Sequence, residues 1–176
     1  MRIRPFDYWE APGLDEALNE LQGSGPDVKV IAGGTDLVLN MKKKKILPRR
    51  VISLHNLSEL DFVRTQGSEV RIGALSRHAD IAAHPWLKNH LPIICEAVGL
   101  IGSWQIRNVG TIGGNLCNAS PCADSAPALL ALNYGAWTNH PFHPANNVTA
   151  ATQVIAGEPN GLALHTLAYP AMWMKP

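Results

Sequence analysis

Cysteine is scarce in this chain. Only Cys95, Cys117 and Cys122 occur among 176 residues. An odd, low count does not build the disulfide framework of a small secreted domain, so the expectation is a reduced, cytoplasmic setting. Net charge is equally lacking: 15 Lys and Arg face 14 Asp and Glu, leaving +1. No overall field favours nucleic acid or an anionic membrane. The one local run, Lys42 to Lys45, reads as a solvated loop or helix end. Long apolar runs are missing too. None reaches the roughly 18 residues that span a bilayer, and the opening "MRIRPFDYWEAPGLDEAL" has no apolar core for a signal peptide. There is no internal repeat. What is present is 46% hydrophobic content, enough for one compact domain or two small subdomains.

Leu14, Ala17, Leu18 and Leu21 recur at helical spacing after Pro12-Gly13, predicting a helix that ends by Pro26. Val28 to Ala32 reads as a short strand. Gly33-Gly34-Thr35-Asp36 follows as a turn, and residues 37–41 as a short helix. Val51 to Leu54 is another buried strand, making residues 1–57 a small α/β unit. Residues 62–65 and 69–72 flank a glycine turn and predict a hairpin. Ser76 is the expected N-cap of a helix over residues 77–83, stopped before Pro85. Further helices are expected over 91–101 and 126–132, with residues 110–114 breaking regular structure. From Tyr134 to Pro176 the only formal charges are Glu158 and Lys175, and no periodicity runs through. Residues 133–176 therefore read as a divergent, irregular tail.

Two glycine pairs carry the chemistry. A diphosphate needs several donors converging without side chains in the way. Successive backbone N–H groups in a tight turn make such a nest, glycine permits the close approach, and a helix start adds unpaired N–H groups. Gly33-Gly34-Thr35 meets these needs, and Thr35 adds a hydroxyl. Thr111-Ile112-Gly113-Gly114-Asn115 meets them a second time. Neither pair is a Walker loop and neither matches Gly-x-Gly-x-x-Gly. Two such turns point to a bound dinucleotide.

The stretches "FDYWEAPGLDEAL" (6–18), "IAGGTDL" (31–37) and "IGSWQIRNVGTIGGNLCNASPCADSAPALLAL" (101–132) resemble the FAD-binding medium subunit of the molybdenum hydroxylases. That family includes xanthine dehydrogenase, aerobic carbon monoxide dehydrogenase and 4-hydroxybenzoyl-CoA reductase. The resemblance covers about residues 1–132 and ends there. It implies an α+β (α/β) flavoprotein: a two-subdomain FAD-binding fold of the vanillyl-alcohol oxidase-like (PCMH) type, with residues 1–57 and 58–132 as the subdomains. It implies FAD contacts from Val30, Ile31, Ala32, Gly33, Gly34, Thr35, Asp36 and Leu37, and from Thr111, Ile112, Gly113, Gly114 and Asn115. Asp124 matches the family's acidic position, and Ile101 falls where the family often has an aromatic residue against FAD. The implied role is electron transfer. The partners are a molybdopterin-binding large subunit and a small subunit with [2Fe–2S] clusters, and the acceptor is one such as NAD. The flavin carries the chemistry, so no catalytic acid, base or nucleophile is expected in this chain. The alternatives are a fragment that keeps the scaffold without binding, or a nucleotide-binding module not specific for flavin.

Other candidates weigh less. An iron–sulfur cluster needs four thiolates; with three cysteines the set is incomplete, and Cys95 and Cys117 are expected as small buried hydrophobes. No metal site is expected. The seven histidines, His78 and the His140/His143 pair among them, read as surface or loop residues. Ser120 and Ser125 lack a nucleophile elbow. Trp104 reads as core packing, with a place near the cofactor as its alternative. Arg107 is open between a phosphate and Asp124.

Overall fold

The computed structural model describes residues 3–22, 24–66, 69–120 and 123–133. The expected tail lies almost wholly outside them. The first half is a three-stranded parallel sheet of β1 (Asp7–Glu10), β2 (Val28–Ile31) and β3 (Arg50–Ser53), in the order β1-β3-β2. The last strand in sequence is thus the central one. Its Val51, Ile52 and Ser53 are buried, whereas every β1 residue but Trp9 is exposed. β1 escaped the sequence reading for this reason: an edge strand reading Asp-Tyr-Trp-Glu has no apolar run to announce it. Helix α1 (Leu14–Gln22) buries Ala17 and Leu21 on the sheet, as the spacing predicts. Helix α2 (Leu37–Lys42) links β2 to β3.

A 3₁₀ turn (Ser58–Leu60) leads into the expected hairpin, β4 (Val63–Gln66) against β5 (Glu69–Ile72). Helices follow: α3 (His78–Ala83), α4 (Pro85–His90), α5 (Pro92–Leu100), α6 (Trp104–Arg107), α7 (Ile112–Asn118) and α8 (Ser125–Asn133). Three expectations are corrected here. Pro85 does not only stop α3; it opens α4, with His84 as the N-cap accepting from the Leu87 N–H at 3.4 Å. Proline is well placed at the first helical position, where its missing N–H has no partner to lose. Ser76 does not cap α3: its hydroxyl donates to the Phe62 carbonyl at 2.9 Å, and Arg77 holds the N-cap position. Gly113 and Gly114 do not break regular structure but form the first turn of α7.

Buried side chains gather in two clusters. One joins the parallel sheet to α1 through Ala17, Leu21, Ile52, Leu54 and Leu57. The other joins the hairpin to the helices through Val70, Ile72, Ile81, Ile94, Val98 and Ile112. The clusters interleave along the chain: Leu60 and Leu75 pack into the first, Val70 and Ile72 between them into the second. Each fully buried aliphatic side chain contributes about 1.5–3 kcal/mol. The segments carrying the two glycine pairs meet at Gly33 and Val109.

Candidate cofactor site

The first glycine pair leaves the end of β2. The Leu54 N–H holds the Ile31 carbonyl at 3.0 Å, so the chain leaves the sheet at Ala32. Gly34 then takes φ +70°, a left-handed conformation that costs a side-chain-bearing residue energy. The turn leaves several donors unengaged. The N–H groups of Gly33, Gly34, Thr35 and Asp36 find no acceptor among the described residues, nor does the Thr35 hydroxyl. Val30, Ile31, Ala32 and Leu37 are half-buried around them. Asp36 stands at the N-cap of α2, but its exposed carboxylate makes no cap bond. Consecutive backbone N–H groups without acceptors are what binding an anion at such a turn requires.

The backbone donors of the second pair are engaged. Thr111 caps α7, its Oγ1 accepting from the Gly114 N–H at 3.1 Å and its carbonyl from the Asn115 N–H at 2.9 Å. The Ile112 N–H donates to the Ser76 carbonyl at 3.0 Å and the Gly113 N–H to the Ala74 carbonyl at 2.9 Å. All four leading N–H groups of α7 are therefore engaged within the protein. The expectation of a second nest at Thr111 to Asn115 is corrected, because protein acceptors already satisfy its donors. Gly113 is glycine for packing: an added Cβ would lie 2.7 Å from the Ala74 carbonyl oxygen. Asn115 keeps a side-chain donor. Asn115 Oδ1 accepts from the buried Ser125 hydroxyl, leaving Asn115 Nδ2 with no partner among the described residues. Thr111→Ala is expected to destabilise the protein by about 1 kcal/mol, the usual loss for a removed N-cap. A urea midpoint at neutral pH measures it.

The two pairs are brought together by backbone contact. A Cβ on Gly33 would lie 2.0 Å from the Val109 carbonyl oxygen and 2.9 Å from the Gly110 Cα. A Cβ on Gly114 would lie 3.9 Å from the Ala32 Cβ. The loop after β2 and the start of α7 thus form one wall.

The remaining candidates separate. Ile101 is half-buried at the end of α5, against the second cluster. Arg107 does not bond to Asp124. Its Nη1 donates to the carbonyls of Ile101 at 3.1 Å and Gly102 at 3.0 Å, closing the end of α5. Asp124 is exposed ahead of α8 and bonds to neither motif. Trp104 is not core: it is 71% exposed, beside Leu100 at 74%. His78 is not a surface residue but buried, and burial, then the Arg107 charge, lowers its pKa to about 4. Cys95 is buried and donates to the Ile81 carbonyl. Cys117 is half-buried in α7, and burial pushes its thiol up to about 12. Cys122, His140 and His143 lie outside the described residues. The sequence reading missed Ala74 and Val109, and marked Ser76 only as a helix cap. They act through backbone carbonyls, which leave no signature in side-chain type.

Residues 4–137 match the FAD binding domain in molybdopterin dehydrogenase. The chain is 38% identical over 128 residues to the glyceraldehyde dehydrogenase medium chain of Sulfolobus acidocaldarius, covering 73% of this chain and 45% of that one. It is 36% identical over 132 residues to the nicotinate dehydrogenase FAD-subunit of Eubacterium barkeri, covering 74% and 45%. Its fold matches the reconstituted CO dehydrogenase from Oligotropha carboxidovorans with a TM-score of 0.73 at 33% identity, over 76% of this chain and 46% of that one. The chain spans about half the length of the relatives it matches. No helix among the described residues is long and apolar enough to cross a membrane. The α+β fold, the paired glycine turns in contact and the match over residues 4–137 agree: this chain belongs to the family of the FAD binding domain in molybdopterin dehydrogenase.

Proposed function

We propose that this chain holds FAD in the electron-transfer subunit of a molybdenum–iron–sulfur–flavin oxidoreductase. The observation that carries the proposal is the loop after β2. Four consecutive unengaged N–H groups, at Gly33 to Asp36, stand on a wall shared with the start of α7. The loop's donors bind the diphosphate of FAD, and the Asn115 amide supplies a donor from the second motif. The sites assigned to Val30 through Leu37, Ile101, Thr111 through Asn115 and Asp124 belong to this proposal. The reading takes residues 1–57 and 58–132 as two subdomains with FAD extended between them; the hydrophobic clusters follow that division except at Leu60 and Leu75, which pack into the first. FAD supplies one- and two-electron chemistry when bound. This chain's residues bind and orient it, and none acts as acid, base or nucleophile. Electrons pass from [2Fe–2S] clusters on a small partner subunit to an acceptor such as NAD, while a molybdopterin-binding large subunit handles the organic substrate. The relatives' names as medium chains and FAD-subunits of dehydrogenases support this assembly.

Purified protein mixed with FAD and desalted should keep absorbance between about 350 and 500 nm, where oxidised flavin absorbs. Colourless, folded protein overturns the proposal for this chain and favours the reading that it keeps the scaffold without binding. A second reading follows from the donors themselves: backbone N–H groups recognise a diphosphate, not an isoalloxazine. A diphosphate-binding module without flavin preference would bind ADP or NAD as tightly as FAD in competition.

Gly34 offers a clean test of charge. Its left-handed φ is one that Asn and Asp tolerate best among side-chain-bearing residues, and the only side chain closer than 3 Å to an added Cβ is the flexible tip of Ile31. Gly34→Asn and Gly34→Asp differ by one charge. At roughly 8 Å from a phosphate and an effective dielectric of about 20, that charge costs about 2 kcal/mol. Gly34→Asp should bind FAD about thirtyfold more weakly than Gly34→Asn, and Lys43→Ala should bind as wild type. Equal affinities for the Asn and Asp variants would remove the diphosphate from this loop.

A further inference from the structure

Gly110 lies at the joint between the two glycine motifs, and one side chain braces it. A Cβ on Gly33 would lie 2.9 Å from the Gly110 Cα, so the first motif abuts Gly110 directly. The His78 ring abuts it as well. A Cβ on Gly110 would lie 3.1 Å from His78 Cδ2 and 3.0 Å from the Ile106 carbonyl oxygen. The backbone doubles this contact: the His78 N–H donates to the Gly110 carbonyl at 3.0 Å, and Arg77 forms a β-bridge with Thr111. His78 is 2% exposed. Its Nδ1 is buried and has no hydrogen-bond partner among the described residues. A buried polar atom left unpaired is disfavoured, and an apolar residue would fill a mere packing position at lower cost. The ring stands against the residue whose position sets both Val109, on which Gly33 rests, and Thr111, which starts α7.

We infer that His78 is a positioning residue for the cofactor site, its ring holding Gly110 in register with Gly33. This inference rests on the reading that the site binds FAD. It adds a residue that touches neither glycine pair and that no part of the motif pattern marks.

The test is a double-mutant cycle in the full chain, read as FAD affinity by quenching of flavin fluorescence. His78→Ala removes the brace and should weaken binding about tenfold, with urea unfolding confirming that the variant is folded. Gly110→Ala adds a methyl that meets the ring and should also weaken binding. In the double variant the methyl occupies space the ring has vacated. Its affinity should exceed the product of the single effects by about threefold or more. Independent structural damage does not produce that rescue. If His78→Ala does not fold, His78→Gln takes its place in the cycle, retaining less bulk against Gly110 than the ring. Wild-type affinity in a folded His78 variant, or effects that multiply to within about twofold, overturns the inference and leaves the FAD reading standing. Wild-type protein that binds no FAD overturns both.

Discussion

Gly33→Ala is expected to lower stability by about 3 kcal/mol or more and to abolish FAD retention, the largest effect of any single methyl in this site. The reason is the partner of the clash. Overpacking against flexible side chains costs about 1–3 kcal/mol because the neighbours yield. Here the added carbon meets a carbonyl oxygen at 2.0 Å and its carbon at 2.8 Å. That carbonyl belongs to Val109, in a segment tied on both sides. The N–H groups of Val109 and Gly110 both donate to the Ile106 carbonyl, at 3.2 and 2.7 Å, and the Gly110 carbonyl is held by His78. Relief requires the loop after β2 and the start of α7 to separate. A loss of that size is a large share of a total stability of roughly 5–15 kcal/mol. Urea unfolding reads the first effect and retained flavin absorbance the second. Gly99→Ala is the matched control, since nothing lies within 4 Å of its added Cβ in α5. There alanine should stabilise by about 0.5–1 kcal/mol through helix propensity. If Gly33→Ala unfolds at the wild-type midpoint, the two motifs are not locked by this contact.

The second large effect is acid sensitivity set by His78. In the unfolded chain a histidine titrates near 6.5, whereas burial and then the Arg107 charge bring folded His78 down to about 4. Between these values the unfolded chain binds one proton more than the native protein, so acidification favours unfolding. Above about pH 6.5 both states are neutral and the group adds no pH dependence. The penalty grows as pH falls and is complete below about pH 4, where 2.5 units correspond to about 3 kcal/mol. His78→Leu removes the titrating group. The stability lost by wild type between pH 7 and about pH 4.5 should shrink in the variant by about 2–3 kcal/mol. Carboxylates titrate over the same range in both proteins, and the difference between the two isolates His78. Parallel pH profiles would mean that His78 does not sit neutral in the folded protein.

Much of the fold was legible because it rests on local rules. Helical spacing in α1, the apolar run of β3 and the glycine turn between β4 and β5 each declare an element within ten residues. The misses share a cause as well. β1 is polar because it lies at a sheet edge, and its pairing with β3 comes from Arg50 to Ser53, far along the chain. α4 hides behind Pro85 because proline ends one helix and opens the next equally well. The sequence reads Trp104 as core packing by default, yet it stands on the surface at the first position of α6. The sequence reads His78 as a surface or loop residue, yet it is buried, because Gly110 and Arg107 approach from a segment the local sequence around it does not contain.

The glycine pairs mark the division most clearly. Residue types alone marked both glycine pairs, since only glycine allows the close backbone approach made at Gly33 and Gly113 and adopts the positive φ of Gly34 without steric cost. They also led to the family, because two such turns in this order are an unusual pattern. They could not separate the roles of the two turns. Gly33 to Asp36 keep their donors unengaged, while the first four donors of α7 are held by Ala74, Ser76 and Thr111. Which N–H groups remain available depends on which carbonyls the folded chain brings within 3 Å. A carbonyl belongs to every residue alike, so only the tertiary structure could decide that, among the described residues, the donors of the first turn stay unengaged and those at the start of α7 are held.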